Sequence, residues 1–499
     1  MSARQLAVAV GAVGLYVLAA GSLALRDPLW NDELYTWYFA QLPTIGDVWD
    51  ELSRGVEQIP PFYYVVVRTS LALLGDNELA LRAPSILGFG LACVCVFVVV
   101  ARRTEAWYGL VAAFVPIASG AFRYAWEARP YGLVVGCAAG ALLCHQLRAD
   151  GVRPRLALAG LFVALAGATA VHYYGALVVV PIALAEVVRI RLRRAVDRPL
   201  LGVIVIAPLV PIAVAIPLVQ SARRYAHAFW TEFDLTSAPE FYVFLLRADV
   251  FSPSRLPYWL AVGFAALVLG AALVVLTRPP RSAQIEVAAG VGFALLPVVG
   301  ILVGELITGA YVDRYVLPAV LGPALLVPLA MHRVAGGVRT AAIGAAVLLA
   351  AWFAILFQYW HREAGVDVDR RERLVAFLQQ ETDGRDLSVA VAHPHDYFEL
   401  AHHAPRALAR RLIRLSSPEQ SLLYTGSRST EDGLTVLADF APLEIVPYEV
   451  QRSPFLLLGT TRGSARDWTR PALSADGAQI ALLAVDEGDG FRLFRVDPR

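Results

Sequence analysis

Lysine is missing from this chain of 499 residues: all 43 basic side chains are arginine. Any phosphate that needs a cation must therefore be met by a guanidinium, whose planar fork grips two oxygens at once. Cysteine is scarce too. Cys93, Cys95, Cys137 and Cys144 all lie inside apolar runs, which excludes a disulfide framework and offers no metal-type Cys/His spacing. Charged residues make up only 17% and the formal net charge is +1. Bulk charge therefore gives no sign of nucleic acid, and no nucleic-acid partner is expected. The first apolar run lacks a small-residue cleavage site followed by polar sequence, so it is read as a retained span and not a signal peptide. The Arg- and Ala-rich, Lys-free bias points to a bacterium of high GC content.

What the chain has is hydrophobic sequence, 57% of residues with a mean hydropathy of +0.56, which no single soluble core explains. About 20 apolar residues cross a bilayer. Eleven runs approach that length: about 6–25, 83–101, 106–122, 130–147, 155–171, 174–190, 200–220, 257–277, 283–304, 312–332 and 338–358. A twelfth, 59–74, has only 16 residues, opens on Pro60-Pro61 and carries Arg68 in its middle. With eleven spans and the N-terminus inside, the densest short basic cluster (Arg189, Arg191, Arg193, Arg194, Arg198) faces the cytoplasm. A span at 59–74 would put it outside. The segment 59–74 is therefore read as amphipathic and lying on the outer membrane face. Two large external loops result, 26–82 and 220–257, the second long enough for a helix and a flap.

Beyond Trp360 the composition turns polar. Strand-like runs at 388–392, 412–415, 455–459, 479–485 and 491–496, with helical patterns at 368–380 and 396–402, predict a small α/β domain. The expected fold class is thus a polytopic α-helical membrane protein of about 11 spans with a C-terminal extracytoplasmic α/β domain. The expected domains are 1–360 and 361–499. The expected location is the bacterial cytoplasmic membrane, N-terminus inside and C-terminal domain outside.

Sorted by this topology, the charged residues at span ends collect on the outer side: Asp32, Glu33, Glu57, Glu127 and Asp313 among carboxylates, Arg82, Arg123, Arg129 and Arg314 among cations, and His172 beside Tyr173 and Tyr174. Ionisable groups at membrane depth are costly and so become functional candidates. Asp32-Glu33 stands just after the first span, bracketed by Trp30, Tyr35, Trp37 and Tyr38. A carboxylate there stays wetted and ionised yet reaches something held in the bilayer, as a general base acting on a lipid-bound substrate must. Plainer readings stand beside these. Asp32 and Glu33 could open an interfacial helix. Glu127 and Arg129 could pair or anchor the interface. Asp313-Arg314 could be a helix-start charge pair, His172 a satisfied interfacial histidine, and Arg82 a snorkelling side chain.

The aromatic-bracketed Asp32-Glu33, the segment Pro60-Pro61-Phe62-Tyr63-Tyr64, the run Glu78-Leu79-Ala80-Leu81-Arg82-Ala83-Pro84-Ser85, and then Glu127-Ala128-Arg129-Pro130-Tyr131, His172-Tyr173-Tyr174 and Asp313-Arg314-Tyr315-Val316-Leu317-Pro318 follow one another in an order that resembles the GT-C superfamily of membrane glycosyltransferases. The branch most similar holds the protein O-mannosyltransferases and the bacterial aminoarabinose-to-lipid-A transferase. The resemblance covers about residues 1–360. It implies an inverting transfer of a hexosyl or pentosyl sugar from a polyprenyl-phosphate donor to a cell-envelope glycan, lipid or protein. Carried onto this chain, Asp32 is the base that activates the acceptor hydroxyl and Glu33 supports it or binds acceptor. Arg82, Arg129 or Arg314 holds the donor phosphate. Glu57, Tyr63, Glu127, Tyr131, His172, Tyr173, Asp313 and Tyr315 line the substrate site. The 59–74 segment becomes a juxtamembrane helix along the donor groove. Two departures stand out: many relatives have His where this chain has Ile59, and some place a lysine near the phosphate. No cofactor or metal is expected, although Asp32, Glu33 and Glu127 are carboxylates a divalent cation could use.

Two other classes compete. A transporter or flippase of envelope lipids predicts charges buried mid-span and an inverted repeat; the charges of this chain sit at span ends. A membrane-anchored assembly factor with 361–499 as its working part leaves the outer carboxylates without a task.

Overall fold

The computed structural model describes residues 3–55, 57–226, 233–246, 270, 273–274, 277, 283–459 and 467–499. In chain order the helices are α1 (Ala3–Arg26), α2 (Asn31–Gln41), α3 (Ile45–Ser53), α4 (Pro61–Leu74), α5 (Glu78–Ala101), α6 (Ala106–Ile117), α7 (Tyr131–Ala149), α8 (Pro154–Val171), α9 (Val179–Arg193), α10 (Arg198–Ala226), α11 (Ala238–Leu246), α12 (Gln284–Ala294), α13 (Leu296–Val303), α14 (Leu321–Val334) and α15 (Arg339–Thr382). Beyond them come α16 (Pro394–His403), α17 (Arg406–Ala409), α18 (Pro418–Thr425), α19 (Ser429–Leu437) and α20 (Thr469–Ala475), interleaved with strands β1 (Val389–Val391), β2 (Leu412–Ser416), β3 (Ile445–Pro447), β4 (Phe455–Gly459), β5 (Gln479–Val485) and β6 (Arg492–Asp497). The chain forms two compact units, Met1–Arg26 with Ile59–Pro217 and Phe233–Arg362, and Asp27–Gln58 with Leu218–Glu232 and Glu363–Arg499.

The first unit is a helical bundle, and small residues set its tightest crossing. A Cβ on Gly136 of α7 would lie 2.3 Å from the Gly88 carbonyl oxygen of α5, and one on Gly132 would lie 2.6 Å from the Ser85 oxygen. Backbones approach this closely only where side chains are absent. Gly136→Val is therefore expected to leave no folded monomer on size-exclusion in detergent, whereas Gly140→Val, with a nearest neighbour 4.0 Å away, is expected to be tolerated.

Among the described residues six helices are long and apolar enough to cross a membrane, or up to eight if each bent pair is one span. The expected run 106–122 ends its α-helix at Ile117 and continues as a 3-10 turn, Gly120–Ala125; the run 174–190 likewise opens on a 3-10 turn, Tyr173–Val178, before α9. Most of the expected span 257–277 lies outside the described residues, as do 227–232, whereas the helix foreseen in the 220–257 loop is α11. The ambiguous 59–74 segment is α4, entered through Pro60 and Pro61. Its 14 residues reach about 21 Å, less than the roughly 30 Å of hydrocarbon.

The second unit contains a six-stranded sheet in the order β3-β2-β1-β4-β6-β5. β3, β2, β1 and β4 run parallel, and β6 and β5 are antiparallel. Its centre is apolar and covered on both faces: Val389, Ala390 and Val391 of β1 and Phe455, Leu456, Leu457 and Leu458 of β4 are all buried. Such unbroken runs are what a parallel sheet needs. Four of the expected strands are seen within one residue of their bounds and β6 is shifted by one; β3, only three residues long with a proline at its end, carries no alternation to betray it. The predicted helix 396–402 is α16. The predicted 368–380 is the far end of α15, one helix of 44 residues. Residues 27–58, expected to belong with the membrane part, group with the C-terminal residues instead.

Candidate functional site

In the first unit, three breaks in the helical run come together at one end of α7. They are the turn preceding Tyr131, the turn after α8 that begins at His172, and the 3-10 segment Asp313–Val320. Each break has a local cause. Pro130 presets the φ of the residue before α7, and Pro318 prevents the Asp313 segment from winding as a regular helix. Gly175 is forced, because a Cβ there would meet the Ala168 carbonyl oxygen at 2.0 Å.

The rings of these turns form a cluster. Tyr315 stacks on Tyr131 with centroids 6.4 Å apart and lies 4.9 Å from His172 and 5.0 Å from Tyr174. Tyr131 meets His172 at 5.4 Å and Tyr124 at 5.2 Å. The Arg314 guanidinium donates from Nε to the Tyr131 hydroxyl at 3.1 Å and stands 5.9 Å from that ring's centre. Tyr311 donates to Asp313 at 3.3 Å. Glu127 is buried and accepts from Arg123 at 3.0 Å, one helical turn earlier. Arg129 is buried beside them, its carbonyl held by the Ser85 hydroxyl at 2.6 Å. So Glu127, Arg129, Tyr131, His172, Asp313, Arg314 and Tyr315, chosen on sequence, belong to one neighbourhood. The sequence choice of Tyr173 over Tyr174 has the weaker of the two: Tyr174 is buried and shares a hydrogen bond with Thr308 at 2.8 Å, while Tyr173 is half-buried. Arg123 is among the outer-side cations the sequence marks, whereas nothing in the sequence marks Tyr124 as a site residue. The one sequence signal for Tyr124 is its place beside Arg123, inside a polar break between apolar runs.

His172 is neutral here. Its Nδ1 accepts the Tyr174 backbone N–H at 3.2 Å, which leaves the proton on Nε2 as a donor. Burial, with Arg129 and Arg314 nearby, lowers its pKa from 6.5 to about 3. The unfolded chain thus binds the extra proton first, and stability rises with pH between about 3 and 6.5, complete above that window. His172→Asn keeps an acceptor for the Tyr174 N–H and removes the titration. Its melting temperature is expected to fall less steeply than that of the parent between pH 7 and pH 5 in a thermal scan.

Arg82 and Tyr63 are fully buried. Arg82 donates to the Ala24 carbonyl oxygen in the last turn of α1, a cation on helix-terminal carbonyls. Tyr63 packs edge-on against Tyr64 at 5.6 Å within α4.

The other end of α7, about 21 Å away by helical rise, carries a second set of buried charges. Arg103 and Gln146 reach Glu286 at 2.7 and 2.8 Å, while His145 and Arg189 reach Glu186 at 3.2 and 2.6 Å. The polar side chains thus gather at the two ends of α7 and not at its middle.

The carboxylate pair lies in the second unit. Asn31, Asp32 and Glu33 form the first turn of α2, where carboxylates meet the positive end of the helix dipole. Glu33 is wholly buried and accepts the Trp30 N–H at 3.5 Å; Asp32 is half-exposed. Glu57 is half-buried in the loop after α3, one of its oxygens accepting the Gln58 N–H at 2.9 Å. Among the described residues no three His, Cys, Asp or Glu side chains are grouped to hold a metal ion.

Residues 58–217 match the family model of dolichyl-phosphate-mannose-protein mannosyltransferase. That stretch takes in α4, Arg82, Glu127–Tyr131 and His172–Tyr174 but neither Asp32 nor Arg314. No curated protein sequence matches the chain. Among solved structures, ArnT from Cupriavidus metallidurans in the apo state superposes over 98% of both chains with a TM-score of 0.59 at 12% identity. The same protein bound to undecaprenyl phosphate gives a TM-score of 0.55 at 12% identity, over 99% of this chain and 98% of that one. The chain thus shares its fold with ArnT.

Proposed function

We propose that this GT-C protein transfers a sugar, with inversion, from a polyprenyl-phosphate donor to an acceptor hydroxyl at the outer face of the cytoplasmic membrane. The observation that carries the reading is the gathering of Arg129, Arg314, neutral His172 and the rings of Tyr131 and Tyr315 at one end of the bundle, in a fold shared with a protein crystallised with undecaprenyl phosphate. Aromatic faces suit a sugar ring, and guanidinium groups suit the phosphate it leaves.

In the reaction, the acceptor oxygen attacks the anomeric carbon from the face opposite the phosphate. Its proton passes to the Asp32 carboxylate as the new C–O bond forms. The bond between the anomeric carbon and the phosphate oxygen breaks, and polyprenyl phosphate departs as an anion, compensated by Arg129 and Arg314. His172, with Nε2–H as its donor, orients a substrate oxygen rather than removing a proton. Arg82 holds the end of α1, and Glu33 supports the turn that presents Asp32. A sugar of hexosyl or pentosyl type and a cell-envelope acceptor fit this scheme equally. Arginine alone supplies the positive charge, so transfer is expected to persist in EDTA at the rate seen in magnesium.

The test is native mass spectrometry of the full chain released from membrane extracts, followed by turnover assays with undecaprenyl-phosphate-linked sugars. The expected result is a bound polyprenyl phosphate or its sugar adduct, and release of free polyprenyl phosphate on adding acceptor. A protein that carries no such lipid, and moves intact lipid between leaflets of a vesicle, would replace this reading with transport.

A further inference from the structure

The carboxylate pair of α2 is held by the C-terminal α/β unit, and the attachment is specific. α16 leaves the end of β1, the central strand of the parallel part of the sheet, with His393 as its N-cap. Tyr397 fixes α16 on its inner side: its hydroxyl donates to the Glu444 carbonyl at 3.0 Å and accepts the Glu444 N–H at 2.7 Å. On the side turned to α2 are Phe398, His402 and His403. Positions four apart share a helix face, so Phe398 and His402 act together.

Phe398 stacks on Tyr38 at 5.8 Å and meets Tyr35 edge-on at 5.5 Å. His402 shares a 2.8 Å hydrogen bond between Nδ1 and the Tyr38 hydroxyl and lies edge-on to Trp37 at 6.0 Å. His403 bonds through Nε2 to the Leu29 carbonyl at 2.9 Å. These contacts bracket the carboxylates, with Leu29 three residues before Asp32 and Tyr38 six after it. Two more attachments follow in the same unit. Phe39 packs on Phe440 at 5.2 Å. Gly433 admits the Tyr35 hydroxyl, which a Cβ there would meet at 2.3 Å. Burial holds both partners of the Tyr38–His402 bond uncharged, with the tyrosine raised to about 12 and the histidine lowered to about 4.

We propose that His402, seated with Phe398 on α16, is a positioning residue that fixes α2 and through it the carboxylate of Asp32, so that the C-terminal domain is a structural part of the catalytic machinery and not an appended binding module. The role given to Asp32 rests on the transferase reading; the seating of α2 does not. An 11-residue helix that is buried on nearly every side yet short has little stability of its own. Its register is therefore set by what grips it.

The test is hydrogen exchange of the full chain in detergent, read on peptides covering 31–41, 389–391 and 455–459. In His402→Leu, exchange over 31–41 is expected to speed at least tenfold while β1 and β4 stay unchanged. His402→Asn places an amide where Nδ1 was, and is expected to restore protection to within about twofold of the parent. Tyr38→Phe keeps the stacked ring, loses the hydroxyl and is expected to lie between them. Unchanged exchange over 31–41 in His402→Leu overturns the proposal. So does an equal loss over all three peptides, which would make His402 a general stabiliser of the domain. If α2 loosens as expected but Asp32→Asn still transfers sugar at full rate, the seating stands and the base assignment fails.

Discussion

Replacing Asp32 with Asn is expected to lower sugar transfer about 10³-fold with no loss of folded protein, within the range of roughly 10²–10⁴ that a positioned base contributes. The substitution is nearly isosteric. Asp32 sits half-exposed in the first turn of α2, where Asn is equally at home, so the helix has no reason to move. What disappears is the ability to accept the acceptor's proton as its oxygen attacks. Glu33 serves as the internal control. It is fully buried, and its side chain reaches back to the Trp30 N–H, a contact that Gln can reproduce. Glu33→Gln is therefore expected to cost far less than Asp32→Asn. Single-turnover transfer from an undecaprenyl-phosphate-linked sugar, with hydrogen exchange over α2 as the check on folding, measures both. Full activity in Asp32→Asn would remove Asp32 from the chemistry and leave the pair as a helix start.

Arg314→Ala is expected to cost about 10²–10³ in kcat, the loss that follows when one preorganised donor to a developing anion is removed. The guanidinium is held from Nε by the Tyr131 hydroxyl, and Tyr131 in turn stacks on Tyr315. A planar fork can keep that bond and still present its remaining N–H groups to a phosphate; a lysine ammonium offers a single point charge and no fork. Arg314→Lys is accordingly expected to recover less than a tenth of the lost rate. Tyr131→Phe removes the anchoring hydroxyl while keeping the ring, and should weaken turnover by a smaller factor. The measurement is kcat together with the amount of polyprenyl phosphate retained by each variant. An Arg314→Ala enzyme with unchanged turnover would shift the phosphate to Arg129 alone.

Much of this molecule was legible before its fold was known. Twenty-residue apolar runs can hardly be anything but membrane helices, because an unpaired backbone in lipid is too costly. The strands at 455–459 and 479–485 stood out because a continuous apolar run and a flanking turn leave few alternatives. Two of the apolar runs conceal a change of backbone for one reason. Hydropathy registers apolar content and not backbone geometry, so it passed over the 3-10 turns at Gly120–Ala125 and Tyr173–Val178, where glycine and aromatic residues break the helix and build the site. The same limit explains Tyr173 and Tyr174, identical in kind and adjacent, of which only the fold says which ring is turned in.

By itself, the sequence determined the class of solvent around each segment, the lack of any cation but arginine, the short reach of Pro61–Leu74 and the order of polar breaks along the chain. These follow from composition and spacing, which need no third dimension. The tertiary structure alone decided that Tyr131, His172 and Tyr315, drawn from three distant breaks, share one cluster, and that Arg82 reaches the Ala24 carbonyl at the end of α1. It also decided that α2 belongs with the C-terminal unit through Tyr38, Phe398 and His402. Those pairings lie up to 364 residues apart in the chain. No local pattern encodes them, because the free energy that selects them comes from burying side chains against partners that only the completed fold brings within reach.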